Sequence, residues 1–391
     1  MIRHARRIDA ALFAGGLRVG PRAPDRERIV AYEVLEQGLA PAAARGMFPD
    51  IDWERVRAID KLIAKGLAPG QSGRDPATRL ALAHSLPDWL ARLMVADHGG
   101  DAEKLAAALA ERAPMTIRTN TLAGDRGALM NALAEAGIDS HAGALCPTAV
   151  VVDSRVNLFS LAPFRTGHFE AQDEGSQLIA ELCAPPPKAL VVDYCAGAGG
   201  KTLALAALMN SRGRLLSTDV SKKKLAELRR RARRAGVTNV QVQPLPDDPE
   251  VATPKAIAAA GGCAHRVLVD APCSGIGALR RNPEAKWRLT EGDAARFPAL
   301  QLAILEQALP LVAPGGRLIY ATCTVLRREN RGVIDTFLNR HPELSLFPVK
   351  AIWGAERAAA VADESGVFLE LLPHRHGTDG FFAAVIRRPP A

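Results

Sequence analysis

Two cysteines each follow an apolar, β-prone run in the C-terminal half of the chain. Arg266-Val-Leu-Val-Asp270 leads into Ala271-Pro-Cys-Ser-Gly275, and Arg317-Leu-Ile-Tyr-Ala-Thr-Cys323 ends on the second thiol. A third run, Ala189-Leu-Val-Val-Asp193, leads into Tyr194-Cys-Ala-Gly-Ala-Gly-Gly-Lys-Thr202. Glycines at such a strand-to-helix turn let a ligand approach the backbone and meet the amides that open the helix. A thiol beside a methyl donor suits methylation of an unactivated ring carbon. Cytosine C5 is a poor nucleophile until a thiolate adds at C6, whereupon C5 can attack the methyl group. A free thiol with a pKa of about 8.5 is only a few per cent ionised at neutral pH, so the site has to stabilise the thiolate. A further acid/base group then removes the C5 proton as the thioether is expelled, and Asp270 is placed to hold the N3/N4 edge of the base. This chemistry leaves open which cysteine attacks, and a buried cysteine is more often a small hydrophobe than a reagent.

The glycine loop discriminates among ligands by its spacing. A Walker A loop needs glycine where Cys195 stands, and the dinucleotide fingerprint G-x-G-x-x-G needs glycine where Thr202 stands. What remains is Gly197-x-Gly199-Gly200, with Asp219 twenty positions after Gly199 at the end of the next apolar run. A carboxylate there is placed for the two ribose hydroxyls of an adenosine, which suits S-adenosylmethionine as well as NAD; the lack of pyrophosphate machinery favours the methyl donor. On the loop alone a nucleotide triphosphatase or a dehydrogenase is the alternative. A tight structural turn, with Asp219 capping the following helix, is the bland one.

For these residues to meet, the runs must be strands of one sheet. The spacing predicts strands at 189–193, 214–219, 240–243, 266–270 and 317–321, with helices at 201–209, 222–235 and 294–311. That alternation predicts an α/β fold with a doubly wound, Rossmann-like parallel sheet, in which ligands bind outside the carboxyl ends of the strands. Both thiols would then face the same edge as the glycine loop. Upstream, short helices at 25–39 and 53–67 lead to a linker-like stretch at 69–76, and residues 115–122, 124–136 and 149–152 read as strand, helix and strand of a small α+β module closed by Pro185-Pro-Pro187. The expected division is a helical region at 1–75, the module at 76–184 and the sheet domain at 185–391.

The chain resembles the Sun-type, or RsmB-like, RNA cytosine-C5 methyltransferases over roughly residues 110–386. The resemblance is carried by Ile117-Arg-Thr-Asn120, by 193–202, by Asp270-Ala-Pro-Cys-Ser-Gly275, by Arg280-Arg-Asn-Pro-Glu-Ala-Lys-Trp287, by Tyr320-Ala-Thr-Cys-Thr324 with Glu329-Asn330, and by Asp379-Gly-Phe-Phe382. It implies a class I methyltransferase sheet preceded by an RNA-binding module, S-adenosylmethionine as cofactor, and 5-methylcytosine in RNA as product, with ribosomal RNA the first substrate to consider and transfer RNA the second. By the same resemblance Cys323 is the nucleophile, Cys273 assists release of the product, and Lys201 and Asp270 line the catalytic pocket. Cofactor contacts fall to Cys195, Ala196, Gly197, Ala198, Gly199, Gly200 and Lys201, with Asp219 and Asp270; Arg118 and Asn120 become pocket-wall residues near the RNA. The chain departs from the pattern at Ala198, where many relatives carry proline, and at the acidic residue after the third strand, for which Asp247 is the nearest replacement. Its helical N-terminal region is shortened to the first 75 or so residues.

Composition narrows the partners. The 391 residues include 50 basic and 42 acidic, a net charge of +8, with 48% hydrophobic and 24% charged. That is an ordinary soluble chain whose charge suits nucleic acid, and no apolar run approaches the roughly 18 residues of a membrane helix. Residues 222–234 set eight basic side chains against Glu227, suited either to phosphate contacts or to a solvated helix face. Arg280, Arg281 and Lys286, directly after the Asp270-Ala-Pro-Cys273 turn, are expected to grip RNA beside the pocket. Six cysteines without C-x-x-C spacing predict neither a zinc site nor a disulfide framework. The expectation is therefore a cytoplasmic, monomeric, metal-free enzyme acting on RNA, with a non-catalytic RNA-binding protein as the alternative outside the enzymes.

Overall fold

The computed structural model describes residues 4–14, 25–47, 49, 51 and 75–391. The chain forms two compact units, Met1–Arg112 with Leu279–Glu291, and Ala113–Ala278 with Gly292–Ala391. The expected helix at 53–67 lies outside the described residues, as does all but the end of the stretch at 69–76.

The first unit is helical. Apolar residues at helical spacing bring Val30, Ala31 and Val34 of the helix Asp25–Gln37 against Ile8 and Leu12 of the helix Ala5–Ala14. Asp75 caps the helix Pro76–Ala83, its carboxylate accepting from the amides of Ala77 and Thr78, with proline at the first helical position. The helices Asp88–His98 and Ala102–Ala110 belong to this unit, so its contacts run past residue 76, where the sequence suggested a change of domain.

The second unit carries two sheets. The smaller holds β1 (Met115–Thr119), β2 (Ser140–Ala142), β3 (Ala149–Val152) and β4 (Phe169–Ala171) in the order β2-β3-β1-β4, antiparallel throughout. Alternation puts Ile117, Val150, Val152 and Phe169 on one face, packed with Leu129 and Leu133 of the helix Arg126–Glu135. Arg118 and Glu170, directly paired across β1 and β4, share the other face.

The larger sheet holds β5 (Leu190–Asp193), β6 (Arg214–Asp219), β7 (Val240–Pro244), β8 (Ala264–Asp270), β9 (Val312–Thr322), β10 (Ser345–Leu346), β11 (Leu369–Leu371) and β12 (Phe381–Arg387), in the order β10-β12-β9-β8-β5-β6-β7 with β11 against β12. β5 to β9 are parallel, and each of the five strands expected from sequence is present within a few residues of its expected limits. The sheet is mixed rather than purely parallel, because β12 runs antiparallel beside β9 and brings β10 and β11 with it. Helices cover both faces. Val192, Val267, Leu318 and Phe382 point into one core, while Val191, Leu268, Ile319 and Val385 point into the other, which is why these strands read as unbroken apolar runs. The chain order reverses between β5 and β8, and the crevice beyond their carboxyl ends is where a doubly wound sheet takes its ligand.

Candidate active site

Four strand ends converge on that crevice, bringing Asp193 from β5, Asp219 from β6, Asp270 from β8 and Cys323 from just past β9. They adjoin a cavity of about 370 Å³ lined by Asp193, Cys195, Ala196, Gly197, Ala198, Gly200, Lys201, Asp219 and Asp270 from the sheet edge, with Ala171, Gln172 and Ser176 from β4 and the helix start after it. Most of the residues assigned to a cofactor from sequence thus share one cavity wall. Gly199 supplies the turn instead: at φ +87° it opens the helix Gly200–Leu208, and a Cβ there would meet Leu228 at 2.6 Å. The Asp219 carboxylate accepts from the amides of Gly197 (2.8 Å) and Ser221 (2.7 Å), fixing the loop to the end of β6. The helix cap itself is Ser221, whose hydroxyl accepts from Lys224. Asp247 is exposed and absent from the cavity lining. β7 has ended at Pro244 and Leu245 turns into the core, which leaves Asp247 three residues beyond the strand end.

The second part of the site is a thiol pair. Cys273 Sγ and Cys323 Sγ are 3.3 Å apart, within sulfur hydrogen-bonding distance. The Cys273 thiol lowers the pKa of Cys323 by donating to it, aided by the Lys201 charge and opposed by burial and Asp270. The same bond, with burial, pushes Cys273 well above the ordinary thiol range. At 3.3 Å either thiol can donate to the other, and the shifts favour ionisation at Cys323 over Cys273, a ranking the sequence chemistry left open. Lys201 Nζ lies 2.7 Å from Asp270 Oδ2. Burial works against its ammonium, but Asp270, Cys323 and Asp193 outweigh that and hold its pKa above the lysine value. Burial raises Asp193 to about 7, although its Oδ2 accepts from the Thr202 hydroxyl at 2.6 Å.

Residues to which the sequence reading gave no role hold the two cysteine turns together. The fully buried Glu329 carboxylate accepts from the Ser274 amide (2.9 Å) and Gln301 Nε2 (3.0 Å), one on the Cys273 turn and one on the helix Glu291–Ala308. Asn330 accepts from the Thr322 hydroxyl (2.6 Å) and donates to the Thr324 carbonyl (3.1 Å), bracketing Cys323. Gly277 closes the clamp: its amide donates to the Cys323 carbonyl, and a Cβ there would lie 2.1 Å from the Gly380 carbonyl. Glu329 and Asn330 stood in the sequence only as part of a matching segment. Their signal, an acid and an amide a few residues past a strand-end cysteine, has no chemical meaning until the loop folds back.

Of the residues expected to contact RNA, Asn120, Arg280 and Lys286 make hydrogen bonds within the protein, and Arg118 is buried. Arg118 is 3% exposed, and burial pushes its guanidinium down to about 10. Asn120 is buried, donating to the carbonyls of Gly167 (2.7 Å) and Ala235 (2.9 Å) and accepting from the Leu122 amide. Arg280 and Lys286 are buried in the helical unit, with Arg112 and His84 carbonyls as partners; Arg281 is exposed. Their long stems pack inward while the sequence displays only their charge. Among the described residues there is no cluster able to hold a metal and no helix long and apolar enough to cross a membrane.

Comparison with known proteins decides the family. Residues 180–387 match the family model described as 16S rRNA methyltransferase RsmB/F, and residues 86–158 match the ferredoxin-like domain of the same group. The chain belongs to the RsmB/F methyltransferase family. It is an RNA cytosine-C5 methyltransferase built on a Rossmann-like sheet. The "Probable ribosomal RNA small subunit methyltransferase B" of Bacillus subtilis is 34% identical over 93% of this chain and 78% of its own length. A protein of the same name from Synechocystis is 29% identical over 99% and 89%. The solved structure of a methyltransferase homologue from Pyrococcus horikoshii is 26% identical, covers 81% of this chain and 100% of its own, and superposes with a TM-score of 0.67. The RsmB/F segment ends at residue 387, so it takes in β12, the antiparallel strand that the sequence reading did not foresee.

Proposed function

We propose that this enzyme transfers a methyl group from S-adenosylmethionine to C5 of a cytosine in small-subunit ribosomal RNA, through a covalent bond between Cys323 and C6. The observation that carries the mechanism is the 3.3 Å thiol pair with its opposed pKa shifts. The small-subunit target follows the names of the relatives.

The cavity fits the methyl donor. Its 370 Å³ lies within the usual range for small-molecule sites, the Gly200 helix start offers amides to a carboxylate, and Asp219 retains acceptor capacity for ribose hydroxyls. When bound, S-adenosylmethionine supplies an electrophilic methyl group. The Cys323 thiolate adds to C6, and the C5–C6 electron pair becomes available at C5. Asp270 Oδ2 faces Lys201, leaving Oδ1 for the N4 amino group of the base. After methyl transfer Cys323 is a thioether and no longer accepts from Cys273; the Cys273 S–H proton passes to solvent, and the resulting thiolate takes the C5 proton. The C5–C6 double bond re-forms and Cys323 departs with the S–C6 electron pair. The base must be unstacked for a thiol to reach C6. Six free cysteines, two of them needed as thiols, suit a reducing cytoplasm. On this reading the sheet domain from residue 185 carries the methyl transfer and the small α+β sheet before it faces the RNA.

The test supplies purified small-subunit ribosomal RNA and bulk transfer RNA with S-adenosylmethionine, then reads bisulfite-resistant cytosines. A single new site in the ribosomal RNA is expected. Modification confined to transfer RNA would overturn the substrate, and none in either would overturn the reading.

A further inference from the structure

The charged face of the small sheet is turned toward the glycine loop. Glu170 is 2% exposed, and a buried carboxylate persists only where it is paired and hydrogen-bonded. It accepts from Nε (3.2 Å) and Nη2 (3.0 Å) of Arg231 and from Arg234. The remaining nitrogen of Arg231, Nη1, donates to the Ala198 carbonyl at 2.8 Å, in the middle of the loop. Asn120 pins the same helix end through Ala235, and Gly167 packs so close to the Arg234 carbonyl that a Cβ would lie 2.0 Å from it.

Two residues after Glu170, Gln172 lines the cofactor cavity. It is 9% exposed, its Nε2 donates to the Ser176 hydroxyl at 3.2 Å, and its Oε1 has no hydrogen-bond partner. Nε2 stands 3.7 Å from where a Cβ on Gly200 would lie, so the side chain covers the helix start whose amides would receive an anionic group. In a methyl donor of the S-adenosylmethionine type, that group is the amino-acid carboxylate, with the ammonium beside it.

We propose that the small sheet is a working part of the cofactor site: β4 holds the glycine loop through Glu170 and Arg231, and the residue after it, Gln172, meets the amino-acid end of the methyl donor. This rests on the cofactor reading above and moves Arg231 and Arg234 from the RNA side of the account to the cofactor side.

Equilibrium binding of two probes tests it, S-adenosylhomocysteine, which keeps the amino-acid end, and 5′-methylthioadenosine, which lacks it. Gln172→Ala weakens S-adenosylhomocysteine roughly tenfold, the loss of about one or two hydrogen bonds, and leaves methylthioadenosine within about twofold. Glu170→Gln weakens both probes, because the loop itself shifts; should it fail to fold, Arg231→Lys, which loses the reach to Ala198, is read in its place with the same expectation. Arg229→Gln, on the same helix but donating to the Val242 carbonyl, leaves both unchanged. A Gln172→Ala variant that binds S-adenosylhomocysteine like the wild type, or weakens both probes equally, overturns the recognition by Gln172. Unaltered binding by Glu170→Gln, or by Arg231→Lys where that variant is read, overturns the clamp. A wild-type protein that binds neither probe overturns the methyl-donor reading itself, an outcome separate from any variant effect.

Discussion

The carboxyl edge of the large sheet and the charged face of the small sheet use their polar residues in opposite ways. At the first, Asp219, Asp270, Cys273 and Cys323 are all partly accessible, grouped around a cavity or a thiol pair. At the second, Arg118, Asn120 and Glu170 are each 3% exposed or less, and Asn120 and Glu170 are committed to holding neighbouring segments in place. The difference is geometric. The end of a parallel strand is an address, because the sheet delivers every such end to one crevice. A charge in mid-strand or on a helix has no address until its neighbours are known.

The comparison can be broken at either region. The largest effect is expected at the carboxyl edge, where Cys323→Ser should lower the single-turnover rate by roughly 10⁴-fold or more while unfolding stays unchanged. A loss of only a few-fold would remove Cys323 from the chemistry. Next comes the pH dependence of the thiol pair. With its pKa lowered by the Cys273 S–H, Cys323 should react with iodoacetamide at pH values where ordinary thiols are protonated, and reactivity should fall only as pH drops through that lowered pKa. Cys273→Ala removes the donor and should move the inflection upward. A downward shift would reverse the assignment of thiolate and thiol.

At Asn120, beside the small sheet, the expected effect lies in stability. Asn120→Ala removes donors from two buried carbonyls and should cost about 1–3 kcal/mol in denaturant unfolding, with RNA affinity unchanged. A variant of full stability that binds RNA poorly would return Asn120 to the RNA. The smallest effect is expected at exposed Arg281, where Arg281→Gln should reduce the salt slope of RNA binding by about one and leave unfolding alone.

Most of the large sheet was legible in the sequence, since β5, β6 and β8 end in Asp and β9 runs directly into Cys323. β12 was hidden because a run such as Phe381–Arg387 does not declare its direction, and it inserts antiparallel beside β9. The cysteines and the glycine loop were legible for the same reason as the strands that carry them. Glu329, Asn330, Glu170 and Gln172 were not, because each acts on a segment brought to it only by folding. The charge-rich segments were the least legible: Arg231 and Arg280 look alike in sequence, yet one donates to the Ala198 carbonyl of the glycine loop and the other to the Arg112 carbonyl of the helical unit.

The most direct test of the central claim is the trapped intermediate. Cys273→Ala enzyme, incubated with small-subunit ribosomal RNA and S-adenosylmethionine, denatured and digested, should yield one modified peptide whose mass spectrum places 5-methylcytosine on Cys323. An adduct on any other residue, or a fully active Cys273→Ala enzyme that forms none, would contradict covalent catalysis by this thiol pair.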